Sequence, residues 1–257
     1  TIVAREYENA LTQIGTMGGG NHFWEVQKGS DGHIWIMIHS GSRNLGLQVA
    51  THYNKLAIEL NEKWQSQVPK EWQLAFLPAD SPEGQDYIKE MTYCMDFALA
   101  NRELMMRRTL EVFSSKLSCG FEPMINIAHN YARLENHHGK NVWVHRKGAT
   151  SARVGEVGII PGSMGTKSYI VEGLGNKESF ESCSHGAGRR MGRKQAIERL
   201  NLAEEQAKMV GILGIPRNQD ELQEAPGAYK DVEDVMKNQA DLVKILVELK
   251  PLAVIKA

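Results

Sequence analysis

Residues 182–194 read SCSHGAGRRMGRK. A histidine, His185, stands just ahead of a Gly-Ala-Gly step, and a basic run carrying Arg189, Arg190, Arg193 and Lys194 follows it, expected to be helical. Glycines let backbone N–H groups come close to an anion, and a helix N-terminus adds positive potential. Guanidinium groups hold phosphate oxygens in pairs, and a neutral imidazole in that setting is a competent nucleophile toward phosphorus near neutral pH. The same letters also suit a plain helix start with a solvated basic face.

Outward from it, residues 121–175 are short β-favouring runs punctuated by glycine and proline: MINIAHN (124–130), NVWVHRKGA (141–149), EVGIIPGS (156–163) and KSYIVEGLG (167–175). HFWEVQ (22–27) and HIWIMIHS (33–40) are two further strands around a Gly-Ser-Asp-Gly turn, preceded by the glycine-rich loop GTMGGGN (15–21). Between these β segments lie two helices. One opens after SGSRNLG (40–46) and runs to about Trp64; the other begins at the Ser81-Pro82 cap and runs to about Leu117 with a methionine-rich apolar stripe that reads as core packing. Residues 66–81 connect them, and REYENALTQI (5–14) reads as the tail of a helix, which suggests that the natural protein starts earlier. A helix is expected over 190–210, another over about 232–249, and a closing strand in PLAVIKA (251–257). The pattern is α+β, with mixed or antiparallel sheets, helices flanking them, and glycine-rich loops interleaved among the strands.

The chain of 257 residues is long enough for one sizeable core, and one domain over 1–257 is expected. A net charge of −1 gives no global attraction for polyanions, so a phosphate site must come from local clustering. The three cysteines, Cys94, Cys119 and Cys183, are too widely spaced for a zinc knuckle or disulfide framework and fit a reducing cytoplasm. Neither a membrane-spanning run nor a signal peptide is recognisable.

Four of the nine histidines share a context. His22, His39, His129 and His185 each sit where a strand gives way to a loop, a position that lets side chains converge at one rim of a sheet. Imidazole suits several divalent metals, and each of these residues is equally compatible with an ordinary loop edge. Glu25 has three roles open to it: binding a metal, orienting a histidine, or hydrogen-bonding a nucleotide. Ser163 and Ser168, in PGSMGTKSYIVEG, lie on a glycine turn suited to a phosphate or a nucleobase, or to nothing more than a β-turn.

Several of these segments occur together in the order found in one known family. GTMGGGNHFWEV, IHSGSRNLG, HN at 129–130, RKGATSAR, GIIPGSMGTKSYIVEGLG, SCSHGAGRRMGR and APGAYKDV…PLAVIK make the chain resemble the RtcB family of RNA-splicing ligases nearly end to end. The resemblance implies a fold built around a central metal and nucleotide site. It implies a ligase that uses GTP and manganese to join RNA bearing a 3′-phosphate or 2′,3′-cyclic phosphate to RNA bearing a 5′-hydroxyl. On this view His185 carries GMP covalently, His22 matches a ligand of one Mn²⁺, and His39 and His129 match ligands of the other. Asn21, Phe23, Glu25, Asn130, Pro161, Gly162, Ser163, Met164, Ser168, Gly186, Ala187 and Gly188 fall on nucleotide-binding segments. Tyr229 and Lys256 match guanine contacts, and Arg43, Arg189 and Arg193 match arginines holding RNA phosphates. An archease-like accessory protein is an implied partner. The family's upstream Asp-x-x-Cys pair, which supplies a metal-binding aspartate and a bridging thiolate, is absent from these residues, so weak ligation by the isolated chain is expected. The other readings are a nucleotide- or RNA-end-binding fragment without turnover, and a metal-dependent phosphoesterase.

Overall fold

The computed structural model describes residues 1–256. They divide into two compact units, one made of residues 1–16 and 40–118, the other of residues 17–39 and 119 onward.

The first unit is helical. Helix α1 spans Ile2–Gln13, α2 Arg43–Lys63 and α3 Pro82–Lys116. The Ser81 hydroxyl accepts from Gly84 N at 3.0 Å, and proline follows in the first turn, so α3 starts where the sequence places its cap. Ile2, Ala10, Leu45, Val49, Tyr53, Cys94 and Phe97 form the core between the three helices. Two polar side chains inside it are fully engaged. Glu90 accepts from Val3 N (2.7 Å) and from the Tyr53 hydroxyl (2.9 Å). Asn101, completely buried, accepts from Gly15 N (2.6 Å) and Thr16 N (3.1 Å) and donates to Ser40 Oγ (3.0 Å) and Gly41 O (3.2 Å). One amide thus pins the chain both where it leaves this unit and where it returns.

The second unit holds all the strands. In chain order they are β1 (Phe23–Gly29), β2 (Ile34–His39), β3 (Asn130–His137), β4 (Lys140–Lys147), β5 (Ala149–Ser151), β6 (Val157–Ile160), β7 (Ser168–Gly173), β8 (Ser182–Ser184) and β9 (Val243–Lys256). Five form an antiparallel sheet in the order β2-β1-β9-β7-β6; β3 pairs with β4 and β5 with β8. Three short helices, α4 (Arg193–Arg199), α5 (Leu202–Ala207) and α6 (Val232–Lys237), lie between β8 and β9. The unit's largest apolar cluster gathers Ile160, Tyr169 and Val171 from the sheet with Cys183, Val232, Met236 and Val243. The α+β class expected from the sequence holds. Among the described residues no helix is long and apolar enough to cross a membrane.

Three expected elements differ. The helix over 190–210 is two short helices, because Asn201 interrupts it: its side chain accepts from Glu204 N (3.2 Å) and starts α5 afresh. Arg189 and Arg190 precede α4 rather than belonging to it, so no helix begins at the Gly-Ala-Gly step. The helix over 232–249 stops at Lys237, and the chain from Val243 is instead the central strand β9. Val243, Ile245 and Val247 are β-branched, and pairing with β1 and β7 on both sides outweighs the helical spacing of the same residues. Pro251 is tolerated in β9 because the register with β1 shifts there, between Val26 and Gln27. Finally, 124–129 is irregular chain; β3 begins only at Asn130.

Candidate functional site

The strand order brings the ends of β1, β2, β7 and β9 close to the loops that follow β6 and β8. Within the second unit they enclose a cavity of about 220 Å³. Asn21, Phe23 and Glu25 enter it from β1 and the loop before it, His39 from the end of β2, and Lys256 from the end of β9. Pro161, Gly162, Ser163, Met164 and Ser168 contribute the turn between β6 and β7. His185, Gly186, Ala187, Gly188, Arg189 and Arg193 follow β8, and Tyr229 closes the remaining side. Of the residues singled out in the sequence, His22, His129, Asn130 and Arg43 are not part of this lining; Arg43 belongs to the helical unit, where its Nε donates to Thr16 Oγ1 (3.2 Å).

The loops are held by backbone contacts that leave little room for side chains. Ala187 N donates to Pro161 O (2.9 Å), and a Cβ on Gly186 would stand 3.1 Å from that same oxygen. Gly188 has φ +73°, a conformation open to glycine at little cost. Its carbonyl accepts from Lys230 N (2.9 Å), and Arg189 bridges to Tyr229, so the segment after His185 and the segment carrying Tyr229 run side by side. In the turn 163–166, Ser163 N donates to Thr166 Oγ1 (2.7 Å).

His185 is positioned from behind. Its N–H points to Gly148 O (3.4 Å), and a Cβ at Gly148 would lie 3.7 Å from the imidazole. Gln239 brackets the preceding residue, accepting from Ser184 N (3.0 Å) and donating to Ser184 Oγ (2.9 Å). From His185 the imidazoles run in a contiguous series. Ring centroids are 4.8 Å apart for His185 and His129, 5.1 Å for His129 and His39, and 5.6 Å for His39 and His22. The four imidazoles thus lie next to one another in the order His185, His129, His39, His22.

Two carboxylates organise the charge. Glu25 is 3% exposed; burial raises its carboxyl to about 7, against the opposing pull of Lys256 and of a 2.7 Å hydrogen bond from Gln27 Nε2. Glu224, equally buried, is the common partner of four cavity residues. Arg189 Nη1 and Arg193 Nε each reach its Oε1 at 3.0 Å, Lys256 Nζ lies 3.6 Å from Oε2, and the Tyr229 hydroxyl donates to Oε2. Burial pushes the Glu224 carboxyl up, but these partners outweigh it and hold the group below its usual range. Lys256 is shifted down by burial, with Glu224 and Glu25 acting the other way. Three cations around one carboxylate leave a positive wall, suited to a polyanion.

Arg189 spends its guanidinium on the protein: Nε on Met191 O, Nη1 on Glu224 and the Tyr229 hydroxyl, Nη2 on Gln223 O. It also lies 5.1 Å from the Tyr229 ring centroid. Arg193 is about half exposed and is tied to Glu224 through Nε. Glu224 and Gln27 were not singled out in the sequence. Gln27 was findable, since Phe23, Glu25 and Gln27 alternate onto one face of β1 and a polar residue on a buried face needs a reason. Glu224, in a polar loop, carried no local signal.

For a divalent metal the fit is incomplete. Imidazoles are suitable donors, but among the described residues no three His, Cys, Asp or Glu groups are disposed to hold one ion. Cys183, near His185 in sequence, is buried and its thiol is pushed up to about 12, so it offers no thiolate.

A family model described as "tRNA-splicing ligase RtcB" matches residues 1–257. The RNA-splicing ligase RtcB of Escherichia coli (strain K12) is 39% identical over 256 residues, covering 96% of this chain and 62% of that protein. The tRNA-splicing ligase RtcB of Pyrobaculum aerophilum is 35% identical over 289 residues, covering 95% and 60%. The RNA-splicing ligase RtcB of Mycobacterium tuberculosis is 33% identical over 291 residues, covering 99% and 67%. The chain therefore spans about three fifths to two thirds of the length of these relatives.

Proposed function

The chain belongs to the tRNA-splicing ligase RtcB family, and on that premise we propose that it carries the guanylylation centre of an RNA ligase, with GTP as the nucleotide and RNA ends as the substrates. The observation that supports this most directly is that His185 lines one cavity together with a buried carboxylate, Glu25, and the cations gathered on Glu224. A carboxylate offers two adjacent acceptors, the complement of the N1–H and 2-amino donors of guanine. Tyr229 and Lys256 border the same space, and a Cβ at Gly188 would meet nothing within 4 Å, which leaves room for phosphate oxygens beside that turn.

Neutral His185 attacks the α-phosphorus of GTP; the bond to the β-phosphate oxygen breaks and pyrophosphate leaves with the electron pair. An oxygen of the RNA 3′-phosphate then attacks the histidine-bound phosphorus, the nitrogen–phosphorus bond breaks, and the RNA end becomes a diphosphate capped by guanosine. The 5′-hydroxyl oxygen attacks the RNA phosphorus, loses its proton, and GMP departs. A 2′,3′-cyclic phosphate is first opened by water. Arg193 is the available phosphate clamp, with Arg43 proposed for the RNA and Arg189 acting mainly to fix Tyr229 and Glu224. His22, His39 and His129 are the proposed nitrogen donors for manganese, which when bound would orient the phosphates and neutralise developing charge. The protein is proposed to work in the cytoplasm, with an archease-like protein as accessory partner.

The test is incubation with α-labelled GTP and Mn²⁺. An acid-labile, alkali-stable protein–GMP adduct that disappears in His185→Ala supports the ligase. Nucleotide binding with no adduct identifies a binding module instead, and release of RNA 3′-phosphate with no adduct identifies a phosphoesterase.

A further inference from the structure

Gln27 follows Glu25 by two residues on β1, so both side chains leave the strand on one face. It is completely buried and does not itself line the cavity. Its amide nitrogen makes two hydrogen bonds, to Glu25 Oε2 at 2.7 Å and to Ser168 Oγ at 3.2 Å. The Ser168 hydroxyl also accepts from Gly162 N at 3.1 Å. One amide group therefore ties Glu25 on β1 to the first residue of β7 and to the turn after β6, all of them bordering the cavity. Its orientation follows from chemistry, because the reversed amide would set its oxygen against an acidic oxygen of Glu25.

The other half of the amide is a cost. Gln27 Oε1 is buried and makes no hydrogen bond. A methionine of similar volume would avoid that penalty, so the stability of the core alone gives no reason for glutamine here. What glutamine adds is a pair of N–H donors aimed at the cavity's carboxylate and its hydroxyl. A hydrogen bond to the ionised form favours ionisation, which opposes the effect of burial on Glu25, and it removes the rotational freedom of the carboxylate plane.

We infer that Gln27 is a positioning residue that sets base selectivity: it holds the Glu25 carboxylate in the plane in which both oxygens meet the paired N–H donors of guanine. The inference rests on the nucleotide reading above. It predicts discrimination against any purine lacking one or both of those donors, and it assigns that discrimination to a residue that does not touch the ligand.

The experiment is equilibrium binding of GTP, inosine triphosphate, ATP and inorganic tripolyphosphate to the chain and to Gln27→Met, at pH 8, where Glu25 is ionised. The parent chain should prefer GTP to inosine triphosphate by about tenfold, the worth of one charge-assisted hydrogen bond. In Gln27→Met that preference should fall below about threefold while tripolyphosphate binding is unchanged. Gln27→Glu, which keeps the shape but presents no N–H when ionised, should lose the preference as well and serves if the methionine variant does not fold. A merely structural role would weaken all four ligands alike, and that result, or an unchanged GTP preference in either folded variant, overturns the inference alone. A parent chain that does not favour GTP over ATP overturns the nucleotide reading and this inference with it.

Discussion

Replacing Arg146 with methionine should unfold the chain more easily and slow its chemistry, through a residue outside the cavity lining. Arg146 is 1% exposed. Its guanidinium grips Glu135 with two hydrogen bonds, Nη1 to Oε1 at 2.6 Å and Nη2 to Oε2 at 2.9 Å, while Nε donates to Ser182 Oγ (2.9 Å) and Nη2 also to Phe180 O (3.0 Å). His137 Nε2 lies 2.9 Å from the same carboxylate, on Oε2. The bond from Arg146, with smaller help from His137 and Arg153, lowers the Glu135 carboxyl from 4.5 to about 2. That shift corresponds to about 3 kcal/mol of folding stability at neutral pH. Stranding one member of a buried pair independently costs about 3–5 kcal/mol, so the two routes agree.

The pH dependence carries a definite sign. A carboxyl depressed in the folded state contributes its full stabilisation above its unfolded value, and the contribution is lost as pH falls from about 4.5 toward about 2. Urea titrations should therefore show Arg146→Met weaker by about 3–5 kcal/mol at pH 7 and by less than half of that near pH 3. The double variant Glu135→Leu/Arg146→Met should recover much of the loss, since no buried charge is left unpaired. A cost below about 1 kcal/mol at pH 7, or one that does not change with pH, refutes the reasoning. The chemical consequence follows from position: Phe180 and Glu181 both have positive φ, near +54° and +50°, in the turn that feeds β8 and then His185. Without Arg146 to hold that turn, adduct formation should slow by about tenfold or more, with GTP affinity changing less.

Glu25→Gln should reverse a different pH profile. A carboxyl raised from 4.5 to about 7 keeps its contribution to stability below about 4.5 and loses it as pH rises through 7, so the glutamine variant should be more stable than the parent at pH 8, by up to about 3 kcal/mol, and level with it at pH 4 in thermal or urea unfolding; its GTP affinity should drop at pH 8. Gly214→Ala should lose at least about 2 kcal/mol in the same assay, because Gly214 has φ +89° and a Cβ there would lie 1.8 Å from Val254 O, close to the end of β9 that carries Lys256. Glu224→Gln removes the carboxylate shared by Arg189, Arg193 and Lys256. Binding of inorganic tripolyphosphate should weaken by about fivefold, on the order of 1 kcal/mol, because the three cations lose the carboxylate that orients them, and adduct formation should slow because Tyr229 and Arg189 lose their shared ionised acceptor; calorimetry and labelling read the two effects separately.

How much was legible in the sequence depended on how local the cause was. The N-terminal cap of α3, the β1–β2 hairpin and the positions of His39 and His185 at strand ends follow from neighbouring residues, and each stands where those residues put it, whereas His129 precedes β3 rather than ending a strand. The turn at Asn201 was also local, but it was masked by a helical period running across it, and only the asparagine's own bond to Glu204 N shows which tendency wins. The second half of β9, in PLAVIKA, is legible from its own letters, but the first half is not, since Val243 to Leu249 satisfies helical spacing as well as alternation. What decides is the presence of two strand edges, β1 and β7, drawn from residues 23–29 and 168–173. The site divides the same way. His185 and its glycines announce themselves, whereas Glu224 is defined entirely by partners that come from residues 189, 193, 229 and 256.

That last grouping explains why an anion cavity is built around an acid. Arg189, Arg193 and Lys256 brought to one wall without compensation would repel one another and splay toward water, and Lys256, whose burial already lowers its affinity for a proton, would tend to lose its charge. A single buried carboxylate opposes both tendencies: it fixes the directions of the three cations before any ligand arrives and favours the charged form of Lys256 against its burial, at the expense of one unit of the wall's charge. The net surplus is about two positive charges, enough to favour a polyphosphate without binding it by charge alone. Lys256 is also within the field of Glu25, so the carboxylate proposed to read the base and the wall proposed to face the phosphates share one ammonium group. Any ligand that takes up the Glu25 carboxylate changes the charge felt by Lys256, and through it the wall. On the proposed reading, base recognition and phosphate placement are in that sense one electrostatic event, which is why the substitutions at Gln27, Glu25 and Glu224 are expected to differ in what they bind rather than only in how stably they fold.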